Sequence, residues 1–224
     1  MQVTLTHPAK GDIRRYDWQG ILAGVNTLVE FEDALYRDWQ TYKATLDIDE
    51  ESPADVERGK QQRNKYLGDA FELFTEMFLL TQSIGLTGVA EYRPLNFLAG
   101  DKDIGVDGVG IGTNNKPATV QVKFRSEERS ELFAKEDGLS GFVAASQNVY
   151  GVDINDKTNM WVVTNCSGIN QKSKEVMLFG KVGCLGRPQI TKLIDNVIPW
   201  WDSFRSATLP VLPKAGRRPR TSLV

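Results

Sequence analysis

The chain has 224 residues, 41% of them hydrophobic, and a formal net charge of −2 with a pI near 5.6. That is apolar material for one domain with an elaboration, or for two small ones, and too little positive charge for a protein that coats nucleic acid non-specifically. The opening MQVTLTHPAKGDIRRYDWQG lacks an export signal and no eighteen apolar residues run together, so a soluble, cytoplasmic protein without a membrane span is expected.

From about Tyr16 to Tyr42 apolar residues recur at Leu22, Val25, Val29, Tyr36, Trp39 and Tyr42, which predicts one long amphipathic helix. His7, the single histidine, stands in the leader before it, which leaves little room for His-based nucleophilic or acid/base schemes. An acidic stretch, DIDEESPADVE, follows. Its Ser52-Pro53-Ala54-Asp55 carries an N-cap serine, a first-turn proline and a carboxylate three residues on, predicting a second helix from Pro53 to about Gln82. Leu67, Phe71, Phe74 and Phe78 form its core stripe.

The period then changes to that of strands: GVAEYRPLNF, GVDGVGI and, after a turn at TNNKP, ATVQVKF. SELFAKEDGLSGFVAASQNVY reads as partly helical, MWVVTN as a short buried strand, NQKSKEVM as a short helix and LFGKVGCL as a further strand. PQITKLIDNVIPWWDSF closes the ordered region as a helix begun by Pro188, with Trp200 and Trp201 buried. Cys166 and Cys184 have no CxxC spacing and no nearby histidine, so they read as packing residues rather than as a zinc site or a disulfide. Beyond Asp202 no acidic residue occurs. Lys214, Arg217, Arg218 and Arg220 make a basic tail, either a phosphate-reaching arm or a solubilising end. The expected fold is α/β: a mixed central sheet flanked by helices.

Alternation gives the strand pair its chemistry. Gln121 and Lys123 are two apart and share a face, while Val120, Val122 and Phe124 share the other. An antiparallel hairpin brings Asp107 towards that polar pair. A carboxylate oxygen, an amide oxygen and the Val122 carbonyl are hard ligands of the kind Mg²⁺ takes when phosphate and water fill its remaining positions. On the second helix Glu72 and Glu76 are one turn apart and repel. A metal, a lysine or solvent is expected to compensate.

Together LGDAFELFTEMFLLTQSIG, GDKDIGVDGVGI, VQVKF and WVVTN resemble the Mrr-type branch of the PD-(D/E)XK nuclease superfamily, and most of all the nuclease domains of single-chain type ISP restriction enzymes. The resemblance spans roughly Tyr66 to Ile194. It implies a restriction-endonuclease-like fold and Mg²⁺-dependent hydrolysis of DNA phosphodiesters, with Mn²⁺ able to substitute. By position it places the metal-binding aspartate on Asp107, with Asp103 as the alternative. The Glu-or-Gln position falls on Gln121, the catalytic lysine on Lys123 and the helix glutamate on Glu72. Gln121 stands where the superfamily more often has glutamate, which leaves the number of metal ions open. Arg125 and Arg129 would meet the DNA backbone, together with the basic tail.

Three segments follow: an N-terminal helical extension and acidic linker over 1–60, a nuclease core over 61–204 and a basic tail over 205–224. The extension lies outside the resemblance and reads as an addition for dimerisation or target choice. Cutting both strands favours a homodimer. Two other readings stand beside this one: a structure-specific nuclease such as a Holliday-junction resolvase or repair enzyme, and a DNA-binding protein whose site has decayed. No G-x-x-x-x-G-K-[ST] motif occurs, so the chain has no P-loop motor of its own.

Overall fold

The computed structural model describes residues 3–95, 105–125, 131–153, 159–175 and 181–209. The fold is α/β, a five-stranded mixed sheet with helices on both faces. Its strands are β1 (Val89–Pro94), β2 (Gly108–Gly112), β3 (Pro117–Lys123), β4 (Met160–Thr164) and β5 (Gly183–Leu185), in the spatial order β1-β2-β3-β4-β5. The first three pair antiparallel and the last three parallel. The β2–β3 hairpin turns at Thr113–Lys116, where Asn115 takes a left-handed φ of 61° that asparagine tolerates better than most residues.

Helix α1 spans Trp18–Leu22, α2 Leu28–Lys43 and α3 Pro53–Thr81. The single helix expected from Tyr16 to Tyr42 is therefore two. Gly24 at φ +72° breaks the run, and Thr27 restarts it by accepting the Glu30 N–H at 3.2 Å while Glu30 reaches back to the Asn26 N–H at 2.8 Å. The periodicity persisted across the break because both helices pack on the same core. α3 begins as expected, with Ser52 Oγ accepting the Asp55 N–H at 3.4 Å. It runs unbroken through the expected boundary at 60–61.

After the one-turn α4 (Ile84–Thr87) and the first three strands come α5 (Leu139–Asn148), α6 (Gln171–Glu175), α7 (Arg187–Ile194) and α8 (Ile198–Thr208). The closing helix is thus also two, parted where Asn196 has φ 60° and Val197 precedes a segment whose Pro199 sits in the first turn of α8.

One face of the sheet packs on α3. Ala118, Val120, Val122, Val163 and Leu185 meet Phe71, Phe74 and Phe78, and behind them Phe31 of α2 and Trp200, Trp201 and Phe204 of α8. Leu5, Tyr16, Trp18 and Leu22 belong to this same core, so the N-terminal region is built into the domain rather than appended to it. The other face carries Met160 and Val162 against Phe142 and Val143 of α5. Thr119 Oγ1 ties β3 to that helix by donating to Ser146 Oγ at 2.8 Å. Cys166 is buried in this second cluster and Cys184 lies at its edge; neither is in a disulfide. Among the described residues no helix is long and apolar enough to cross a membrane.

Candidate active site where two strands part

Asp107 stands one residue before β2, its N–H donating to the Val120 carbonyl at 3.0 Å and its carbonyl accepting from the Leu95 N–H at 2.9 Å. Those bonds hold its backbone between the ends of β1 and β3. Along β3 the backbone groups alternate: Thr119 N–H turns to the β4 side, bonding the Asn159 carbonyl at 2.9 Å, and Val120 turns to β2. Val122 therefore also turns towards β2, at a point where β2 has no residue left to pair with it. The Asp107 carboxylate fills the gap, Oδ2 accepting the Val122 N–H at 2.6 Å. By the same alternation the Val122 carbonyl is directed to this side.

The ladder pairs Gly108 with Val120, so one step further sets Asp107 opposite Gln121. Gln121 is 2% exposed; its Nε2 donates to the Gly105 carbonyl at 2.9 Å. Its Oε1 is buried and has no hydrogen-bond partner among the described residues. An unsatisfied buried carbonyl costs about 1–3 kcal/mol, so a site that keeps one has a use for a free oxygen. Lys123 follows on the same face, half-buried. Burial lowers its pKa, and the charge of Asp107 opposes that most strongly, with Arg125 lowering it and Asp137 and Glu72 raising it. Acid, amide and ammonium thus gather at the parting of β2 and β3.

Glu72 and Glu76 on α3 find their partners in the N-terminal segment, and Glu72 remains partly open to solvent. Glu76, 1% exposed, accepts the Thr6 N–H and Thr6 Oγ1–H on one oxygen, both at 2.7 Å, and the His7 N–H on the other at 2.9 Å. Glu72 Oε2 lies 3.0 Å from His7 Nε2. His7 Nδ1 accepts the Ala9 N–H at 3.2 Å, which places the ring proton on Nε2, where it donates to Glu72. The leader that reads as unremarkable in sequence thus supplies both of Glu72's supports, the ring itself and the strap that pins Glu76.

Tyr92 is the residue that pattern reading misses. Register slips between Ala90 and Arg93 of β1, where Glu91 is held at φ 50° in a bulge. The bulge turns Tyr92 inward until its ring lies across Gly108, where a Cβ would overlap it. That close approach, and not a turn, is why glycine follows Asp107. Tyr92 Oη is buried and has no hydrogen-bond partner among the described residues. Burial first, then the charges of Glu72, Asp107 and Glu76, push its hydroxyl pKa well above the ordinary range, so it stays a neutral donor among the carboxylates.

The end of β3 is fixed from the far side. Asn165, just after β4, accepts the Arg125 N–H at 2.8 Å and donates to the Arg125 carbonyl at 3.0 Å. Arg187 bonds the Asn165 carbonyl at 2.8 Å and grips Glu32 with both carboxylate oxygens, at 2.8 and 2.7 Å. The Arg125 guanidinium is engaged by the buried Asp137, and Trp200 and Trp201 are core residues. Asp103, Arg129, Lys214, Arg217, Arg218 and Arg220 lie outside the described residues.

Among the described residues no group of three or more His, Cys, Asp or Glu side chains is placed to hold a metal ion. A cation here would draw on an aspartate, the orphan amide oxygen and a backbone carbonyl, a donor set that suits a hard ion keeping several waters. Compared with protein-family models and with curated proteins, the chain gave no match.

Proposed function

We propose that the chain is a Mg²⁺-dependent DNA endonuclease of the restriction-endonuclease-like fold, of restriction, phage or mobile-element type, working as a homodimer in the cytoplasm. The observation that carries this reading is the Oε1 of Gln121, buried and without a partner among the described residues, next to Asp107 and Lys123. Asp107, Gln121 and the Val122 carbonyl would hold the cation, with Glu72 completing the shell of ligands or water. Bound there, Mg²⁺ stabilises charge developing on phosphoryl oxygens and lowers the pKa of a bound water.

The chain's own groups do the rest. Lys123, on the same strand face as Gln121, orients the attacking water or the scissile phosphate with its ammonium group. His7 fixes the Glu72 carboxylate through Nε2–H, and Asn165 fixes the strand that carries Lys123.

The test is purified protein on supercoiled plasmid, linear duplex and four-way junctions, with Mg²⁺, Mn²⁺ or chelator. Cleavage of duplex that needs the divalent ion and is lost in Lys123→Ala supports the reading. Preference for junctions points to a resolvase or repair nuclease, and binding of every DNA form with no cleavage to a decayed site.

A further inference from the structure

Beside Lys123 lies an open groove of about 450 Å³, walled on one side by α3 and on the other by the end of β3 and the loop carrying Asp137. Its α3 wall includes Lys60, Asn64 and Gly68, each four residues from the next, and the same row reaches Glu72 after one more step. A cation, an amide and a bare backbone therefore lead along one ridge, about 18 Å long, into the site.

Gly68 is the anomaly in that row. Glycine within a helix is worse than alanine by about 1 kcal/mol, a cost normally explained by a neighbour packed on the bare backbone. Among the described residues there is no such neighbour: a Cβ at Gly68 would meet nothing within 4 Å. The fold leaves that space open, and the space is inside the groove. The groove's acids do not dominate it. Three acids, Glu57, Glu136 and Asp137, face four cations, Lys60, Arg63, Lys123 and Arg125; Asp137 is tied to the Arg125 guanidinium and to the Phe133 N–H, and Glu57 lies 3.9 Å from Lys60.

We infer that this ridge is the track of one DNA strand, whose sugar-phosphate backbone passes Lys60 and Asn64, comes closest to the protein over Gly68 and delivers a phosphate to Lys123. The inference rests on the DNA-cleaving reading of the site and adds where the substrate lies.

The experiment is fluorescence anisotropy on a labelled 20-base-pair duplex with Ca²⁺ in place of Mg²⁺, alongside thermal melting and plasmid cleavage. Gly68→Leu should melt no lower than the parent, because leucine favours the helix and has room, yet bind the duplex about tenfold more weakly. Lys60→Ala should lower the slope of log K against log salt by about one. Parental affinity in Gly68→Leu overturns the track, and so does a parent that binds no duplex at low salt. Normal cleavage by Gly68→Leu also removes the track but leaves the nuclease reading standing. Groove-dependent binding without cleavage under any divalent ion keeps the track and removes the nuclease.

Discussion

Two faces of α3, only two residues apart in sequence, obey opposite rules. On the Phe74 face, the side chains of Phe31, Phe71, Trp201 and Phe204 close in with no exposure, and the contacts are aromatic. Around Glu72, at the parting of β2 and β3, the same helix meets a bulge with a non-glycine residue at positive φ, two buried oxygens without partners and a lysine whose charge burial disfavours. Thr75 Oγ1 beside Phe74 is also buried without a hydrogen-bond partner among the described residues, so what sets the second region apart is the acid, the amide and the lysine gathered there. That difference supports the site proposed above, since strain and charged groups held against burial persist where function uses them.

The sharpest separation of the two regions is a pair of truncations. Phe74→Ala should cost about 3–5 kcal/mol, read as a lowered urea midpoint. Lys123→Met should leave that midpoint unchanged or raised, because it removes a charge that burial penalises, while plasmid nicking falls about 10³-fold.

Next in size is the leader's support. His7→Leu should weaken Mn²⁺ binding, measured by calorimetry, about 10- to 100-fold, as losses of hydrogen bonds to ligand carboxylates do. His7→Gln, which can still present an N–H to Glu72, should recover most of it. Equal affinity in all three proteins would reduce His7 to a packing residue.

Gln121→Glu sharpens the comparison further. It places a second carboxylate beside Asp107 in a buried position, so melting without divalent ions should come several degrees lower, and added Mg²⁺ should raise it by more than it raises the parent. A variant that gains nothing extra from Mg²⁺ would separate Gln121 from the cation. The smallest effect belongs to Thr27→Ala, which removes the cap that restarts α2 and should cost about 1 kcal/mol in denaturant unfolding.

How much of this was legible beforehand depended on distance along the chain. The start of α3, the β2–β3 hairpin and the shared face of Gln121 and Lys123 follow from neighbours within four residues, and local periodicity carries them. The break at Thr27 was also written locally, in Thr27-x-x-Glu30, but a continuous apolar stripe masked it. The compensation of Glu72 and Glu76 was not local. Their repulsion announced a partner, and the partner came from 65 to 70 residues away, in His7 and Thr6. Tyr92 left no mark at all: its inward turn depends on Glu91 adopting a conformation for which glycine is the usual signal. Asn165 stood at the end of a recognised strand, but its grip on Arg125 exists only once β3 and β4 are paired.

Asp107→Asn probes the core of the proposal most directly, because asparagine keeps the shape and an oxygen to accept the Val122 N–H and loses only the charge. With supercoiled plasmid and Mg²⁺, the parent should give nicked and linear DNA that chelator prevents, and Asp107→Asn should give neither at an unchanged urea midpoint. Cleavage by Asp107→Asn at the parent's rate, or by the parent in chelator, would contradict a cation-dependent site at this strand junction.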